Sequence, residues 1–259
     1  MIESAPLPPP EAEPQSRTVR VALPSLPPTA TYTIIGFTAF VYLLQIASVW
    51  ILGYAASEID WLEVYGARFN AAIRAWELWR LITPVFLHGS VAHIFFNMYA
   101  LLSIGTLLER HFGHGRFVLL YFLAAFTGNV FSFLFTGENG YSVGASTAIF
   151  GLIGAEVIFF YQNRELFGSQ AKQAISNAVV IIAINLFIGL SPGIDNWGHV
   201  GGLLGGIIFT WFAGPLWAVT GLPPEMSLMD QRETREVITG ASVVLLIFSA
   251  LTAWGMFYK

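Results

Sequence analysis

The chain has 259 residues, of which 55% are hydrophobic, 15% aromatic and only 11% charged, with a net charge of −4. A soluble globular surface uses about 25% charged residues, so this composition, with its mean hydropathy of +0.65, excludes an ordinary soluble domain. Twelve basic residues without a cluster exclude a nucleic-acid footprint, and the lack of cysteine excludes a disulfide, a thiol nucleophile and a thiolate metal site.

Residues 1–31 are polar and carry Pro6, Pro8, Pro9, Pro10 and Pro14. This composition predicts an extended, disordered cytoplasmic tail, followed by a first span that acts as an uncleaved anchor. Uncharged stretches then run through 21–57, 81–108, 117–137, 173–194, 196–224 and 237–258, and 139–163 is interrupted only by Glu156. Each can hold a helix of about 20 residues, the length that crosses a hydrocarbon layer about 30 Å thick. The expectation is an all-α polytopic membrane protein with seven spans near 32–53, 82–108, 116–136, 144–162, 173–190, 197–217 and 237–257.

Basic residues set the orientation. With the N-terminus inside, the cytoplasmic segments hold Arg17, Arg20, Arg110, Arg116, Arg164, Lys172, Arg232 and Arg235, against Arg68, Arg74, Arg80 and Lys259 outside. That bias favours N-in and C-out, in a plasma membrane of prokaryotic type. The first outer connection interleaves Trp61, Tyr65, Phe69, Trp76 and Trp79 with Glu63, Arg68, Arg74 and Arg80. Two readings fit it: an interfacial structure immersed among headgroups, or an aromatic belt that only anchors.

Polar groups inside spans are costly and mark function. His88, His93 and Asn97 fall in span 2, Ser146 in span 4 and His199 in span 6. Alternate spans run parallel, so spans 2, 4 and 6 all descend from the outer face, and these side chains share one depth. From Ser146 to Tyr161 the helix is about 24 Å long, shorter than the hydrocarbon layer, so its start lies beneath the outer boundary. Backbone at that depth must line a wet cavity or be buried in protein. Glycines 198, 202 and 206, with 201 and 205, recur at four-residue spacing in span 6, and span 4 offers Gly144, Ala145, Gly151, Gly154 and Ala155. Small residues so spaced let backbones approach closely enough for a base to reach a nucleophile.

These residues resemble the rhomboid family of intramembrane serine proteases over about residues 32–257. The matching pieces are Trp79-Arg80, His88 with His93 and Asn97, Gly144-Ala145-Ser146, and His199 with Gly202 and Gly206. The resemblance implies a six-helix catalytic core at 32–217, a cytoplasmic loop at 218–236 and an additional transmembrane helix at 237–259. It implies Ser146 as nucleophile and His199 as general base in a dyad, without a third acid. The oxyanion donors it implies are the Ser146 N–H and the side chains of His93 and Asn97, with His88, Gly144, Phe150 and Gly202 in support.

Two positions depart from the family pattern. Thr147 follows the serine where glycine is usual, adding a β-branched side chain beside the nucleophile. Phe150 stands where a tyrosine often stacks on the base, keeping the ring without its hydroxyl. Asp195 is expected to be a solvated helix cap, and Glu156 a bonded carboxyl facing neighbouring helices, off the active face.

Other chemistries fit less well. No H-E-x-x-H is present, and the aspartates Asp60, Asp195 and Asp230 lie outside span interiors. A metal on His93, Asn97 and His199 would lack an acidic ligand, so no cofactor is implied. A rhomboid-like client-binding protein without activity would be marked by loss of Ser146 or His199, and both are present. The polar groups gather near one face, which argues against a channel. The expected partners are transmembrane protein substrates and the lipid bilayer, with no nucleic acid; nothing in the sequence sets an oligomeric state. The resemblance implies substrate access through movement of 173–190 against span 2.

Overall fold

Proline decides where the first helix can start. Pro27 and Pro28 cannot donate backbone hydrogen bonds, and helix α1 (Thr29–Leu52) begins immediately after them. Its first turn is capped from a distance: the Glu109 carboxylate accepts from the backbone N–H of Ala30 and Thr31, both at 2.7 Å, and from the Thr31 hydroxyl at 2.6 Å. An anion at a helix N-terminus satisfies orphan donors and complements the helix dipole. The computed structural model describes residues 26–52, 60–222 and 225–258; the tail read from the sequence lies outside them up to residue 25.

The first outer connection is built rather than loose. Asp60 accepts from Glu63 N at 2.6 Å and so caps a short helix, α2 (Trp61–Gly66). Strand β1 (Arg68–Phe69), helix α3 (Asn70–Arg74) and two 3-10 turns at Leu78–Leu81 and Thr83–Phe86 follow. Arg80 fastens this unit, donating to the carbonyls of Ala67 and Val64 at 2.7 Å each. Tyr65, Trp76 and Trp79 are exposed while Arg68 and Arg80 are buried. Those three aromatic residues thus face outward and those two arginines inward.

Helix α4 (Val91–Phe135) is two helices joined at Gly113, whose φ of 77° and ψ of 161° break the regular pattern. A straight helix would separate Asn97 and Gly128 by about 46 Å. Both instead lie at the start of the next long helix: Asn97 is beside Gly144 and Gly128 beside Thr147. The chain therefore reverses at Gly113. Strand β2 (Tyr141–Ser142) pairs antiparallel with β1, Arg68 opposite Ser142 and Phe69 opposite Tyr141. Next come α5 (Ser146–Gln162), the single turn α6 (Arg164–Phe167), α7 (Ser169–Ile188) and α8 (Asn196–Ala213). An antiparallel hairpin, β3 (Trp217–Thr220) with β4 (Ser227–Asp230), leads to α9 (Thr234–Tyr258).

Helix α8 sits at the centre, between α4 and α5. A Cβ at Gly202 would stand 1.9 Å from the Thr147 carbonyl oxygen, and one at Gly206 2.0 Å from that of Gly151. No side chain fits there, so the glycine spacing in the sequence does set a backbone-to-backbone seam. Four described helices, α1, α4, α7 and α9, are long and apolar enough to cross a membrane, and α5 is a shorter apolar helix. The chain is thus a polytopic all-α membrane protein. Most of α1, α7 and α9 faces outward, whereas α4 is largely buried.

The helix limits differ from the sequence expectation in two places. The second begins at Val91, not near 82, because Pro84 and Gly89 interrupt the apolar run and Ser90 supplies the cap, accepting from His93 N at 3.1 Å. The helix of the sixth span ends at Ala213, not 217: Pro215 cannot continue it, and Trp217 opens the hairpin.

Candidate active site

The position of Ser146, the candidate nucleophile, is set by the turn that precedes it. Gly144 has φ 123°, a region that favours glycine, and its N–H donates to the Pro84 carbonyl at 2.9 Å. A Cβ there would lie 2.7 Å from His93 Nε2, so only glycine lets that imidazole approach the turn. Ala145 N donates to His88 Nε2 at 3.4 Å, and Ala145 supplies no side-chain cap to α5. Ser146 is the first residue of α5, and its N–H is among those a helix leaves without an internal acceptor.

The candidate base, His199, comes from α8. Asp195 caps this helix through Oδ1, which accepts from Gly198 N at 2.9 Å, while its carbonyl accepts from His199 N at 3.1 Å. His199 Nε2 then lies 3.0 Å from Ser146 Oγ. For Nε2 to accept the serine proton, the ring proton must sit on Nδ1. That Nδ1 is buried without a hydrogen-bond partner among the described residues, so no acid backs the imidazole. Phe150, one turn after Ser146, stacks on the ring at 4.2 Å between centroids and 5° between planes.

His93 and Asn97 face the same cavity as Ser146 and His199, about 1190 Å³ in volume. Asn97 Nδ2 donates to the His93 carbonyl at 3.0 Å. His88 sits just outside α4, is 1% exposed, and packs edge-on against His93 at 5.0 Å between ring centroids. It lies at the entrance to α4, against His93 and the Ala145 N–H.

Three expectations need correction. Asp195 is a cap but is not solvated: its side chain is 13% exposed, Ser132 Oγ donates to Oδ2 at 2.6 Å, and Arg68 Nε is 3.8 Å away. Glu156, half-buried in α5, makes no hydrogen bond among the described residues and does not line the cavity. Thr147 adds no bulk to the site. It is buried, does not line the cavity, and points its Cβ at Gly128 and its methyl at Gly198.

Sequence reasoning left the connection that holds Arg68 with two readings, an interfacial structure or an anchoring belt, and missed the burial of Arg68. Arg68 lines the cavity, with Nη1 donating to Asn70 Oδ1 and, at 3.2 Å, to Thr136 Oγ1. Burial pulls its pKa below the usual arginine value, and the Asp195 carboxylate pushes it back up. Asn70 is near in sequence, but Thr136, just after α4, and Asp195, just before α8, are distant, so no local signal marks the burial.

The family follows from comparison. Residues 75–216 match the Rhomboid domain family, and the chain belongs to it. It is 39% identical over 213 residues to Rhomboid protease GluP of Bacillus subtilis (strain 168), covering 82% of this chain and 38% of that protein. It is 34% identical over 203 residues to RHOMBOID-like protein 2 of Arabidopsis thaliana, covering 76% of this chain and 63% of that one. Inactive RHOMBOID-like protein 8 of the same plant is 33% identical over 153 residues, covering 59% and 42%. The chain spans less than two thirds of each relative's length. Because one relative is named a protease and another inactive, function must be argued from the site.

Proposed function

We propose that this protein is an intramembrane serine endopeptidase that cuts peptide bonds in or near transmembrane segments of membrane-protein substrates. The observation that carries the reading is the 3.0 Å approach of His199 Nε2 to Ser146 Oγ, inside a cavity shared with His93 and Asn97. His199 takes the hydroxyl proton as Oγ attacks the scissile carbonyl, and returns it to the leaving amine. The oxyanion develops beside the Ser146 N–H, His93 Nε2 and the Asn97 amide, which turns from the His93 carbonyl to meet it. Water then releases the acyl group along the same path. A substrate helix must unwind locally first, because its amides are closed by their own hydrogen bonds.

The same reading gives the chain seven crossings. The halves of α4 count as two, and α5 and α8 cross inside the protein, with the N-terminus cytoplasmic and the C-terminus outside. The test is cleavage of a generic transmembrane substrate in proteoliposomes by the wild type, Ser146→Ala and His199→Ala. Loss of cleavage in both variants at normal expression supports the dyad; retained cleavage in either rejects it.

A further inference from the structure

We propose that Arg68 is a positioning residue that fixes the strand leading to the nucleophile against the helix cap leading to the base. The inference rests on the peptidase reading of Ser146 and His199. Arg68 touches neither side chain, yet it holds the segment before each. Its backbone pairs with Ser142, four residues before Ser146. Its guanidinium faces Asp195, four residues before His199, with Nε 3.8 Å from Oδ2.

The end of each segment is rigidly held. Ser142 leads into Gly144, whose N–H is bonded to Pro84 O at 2.9 Å. Asp195 holds α8 through Gly198 N at 2.9 Å and α4 through Ser132 Oγ at 2.6 Å. A shift of Arg68 therefore carries to both members of the pair within about one helical turn.

Capping alone does not explain the arginine. Asp195 already has a backbone donor and a hydroxyl donor, so the cap is complete without a charge. A buried guanidinium is costly unless paired, and Arg68 is 1% exposed with no other carboxylate within ion-pair distance among the described residues. Asn70 Oδ1 and Thr136 Oγ1, which accept from Nη1, fix the plane of the fork but supply no charge. What the ion pair adds is a restraint between the strand that pairs with Ser142 and the cap of α8. Bound geometry of this kind is sensitive: a displacement of about 1 Å at reacting atoms can cost about 10²-fold in rate.

The experiment measures kcat and KM for the full chain in proteoliposomes with a generic transmembrane substrate, together with the rate of Ser146 modification by a fluorophosphonate. Arg68→Gln and Asp195→Asn, the latter keeping an oxygen for Gly198 N, are each expected to lower kcat about tenfold or more, with KM within about twofold. Labelling of Ser146 slows in parallel, Arg68→Lys recovers part of the loss, and the double variant is no slower than the slower single variant. A raised KM with kcat intact would make Arg68 a substrate contact and overturn the proposal. Additive losses in the double variant, or no loss in either single one, overturn it as well. If Arg68→Gln does not fold, Asp195→Asn and Arg68→Lys decide the matter on the same criteria. A wild type that neither cleaves nor labels sinks the peptidase reading and this inference with it; an active wild type with unaltered variants sinks this inference alone.

Discussion

Thr147 illustrates how a side chain next to a candidate nucleophile can be kept out of the cavity. Its identity suggests crowding, but helix geometry turns it toward α4 and α8, where Gly128 and Gly198 leave room. A Cβ at Gly128 would stand 2.6 Å from Thr147 Cβ and 2.7 Å from the Gly198 carbonyl oxygen. Gly128→Ala is therefore expected to destabilise the protein by about 1–3 kcal/mol through overpacking, and Thr147→Gly in that background to recover part of it, as read by thermal denaturation in detergent. Thr147→Gly alone should leave kcat within a few fold, because the residue is outside the cavity. At Glu63, burial pushes the carboxyl up from its usual range, and hydrogen bonds from Tyr141 and Gln45 bring it only partly back. The native state then holds that proton more tightly than the unfolded chain does, so this group's contribution falls as pH rises above the ordinary carboxylate range. Glu63→Gln should flatten stability against pH in that window; an unchanged slope would show that the group is not responsible.

At the scale of elements, the sequence is a good guide where one pattern dominates. The glycine spacing in α8 predicts a close seam, and Gly202 against the Thr147 carbonyl realises it. The ring of Phe150 against His199 was legible through the family resemblance. Where competing signals overlap, the reading slips. Residues 82–90 are apolar and uncharged, yet Pro84, Gly89 and the Ser90 cap move the helix start to Val91. The hairpin at 217–230 was hidden because Trp217 and Val219 read as the end of an apolar run. Glu109 reads as a charge at the end of a span, but its acceptors' donors, Ala30 and Thr31, lie far away in the chain, so no local pattern announces the cap. Glu109→Gln removes an anion from two helix N–H groups and is predicted to cost about 1–3 kcal/mol, measurable as a lower Tm; an unchanged Tm would show that α1 is held by packing alone.

For the whole molecule, composition alone fixes the bilayer as solvent, and the exposed apolar faces of α1, α7 and α9 agree with it. What composition does not carry is closure: the contacts that tie the outer connection to α4 and α8 involve a few polar side chains distant in sequence. The orientation expected from charge is directly testable, since the sequence contains no cysteine. In intact bacterial cells, Glu138→Cys on the outer connection after α4 should react with a membrane-impermeant maleimide. Met229→Cys on the hairpin should react only after the membrane is opened. The reverse pattern would invert the topology and move the cavity to the cytoplasmic side.

The central claim is that His199 activates Ser146 across 3.0 Å, and its most direct measurement is the site and rate of fluorophosphonate modification, read by mass spectrometry of the reconstituted protein. The account predicts one adduct, on Ser146, that disappears in Ser146→Ala and is nearly abolished in His199→Ala while both variants keep the wild-type Tm. An adduct on another residue, or one that forms on Ser146 equally fast without His199, would contradict it.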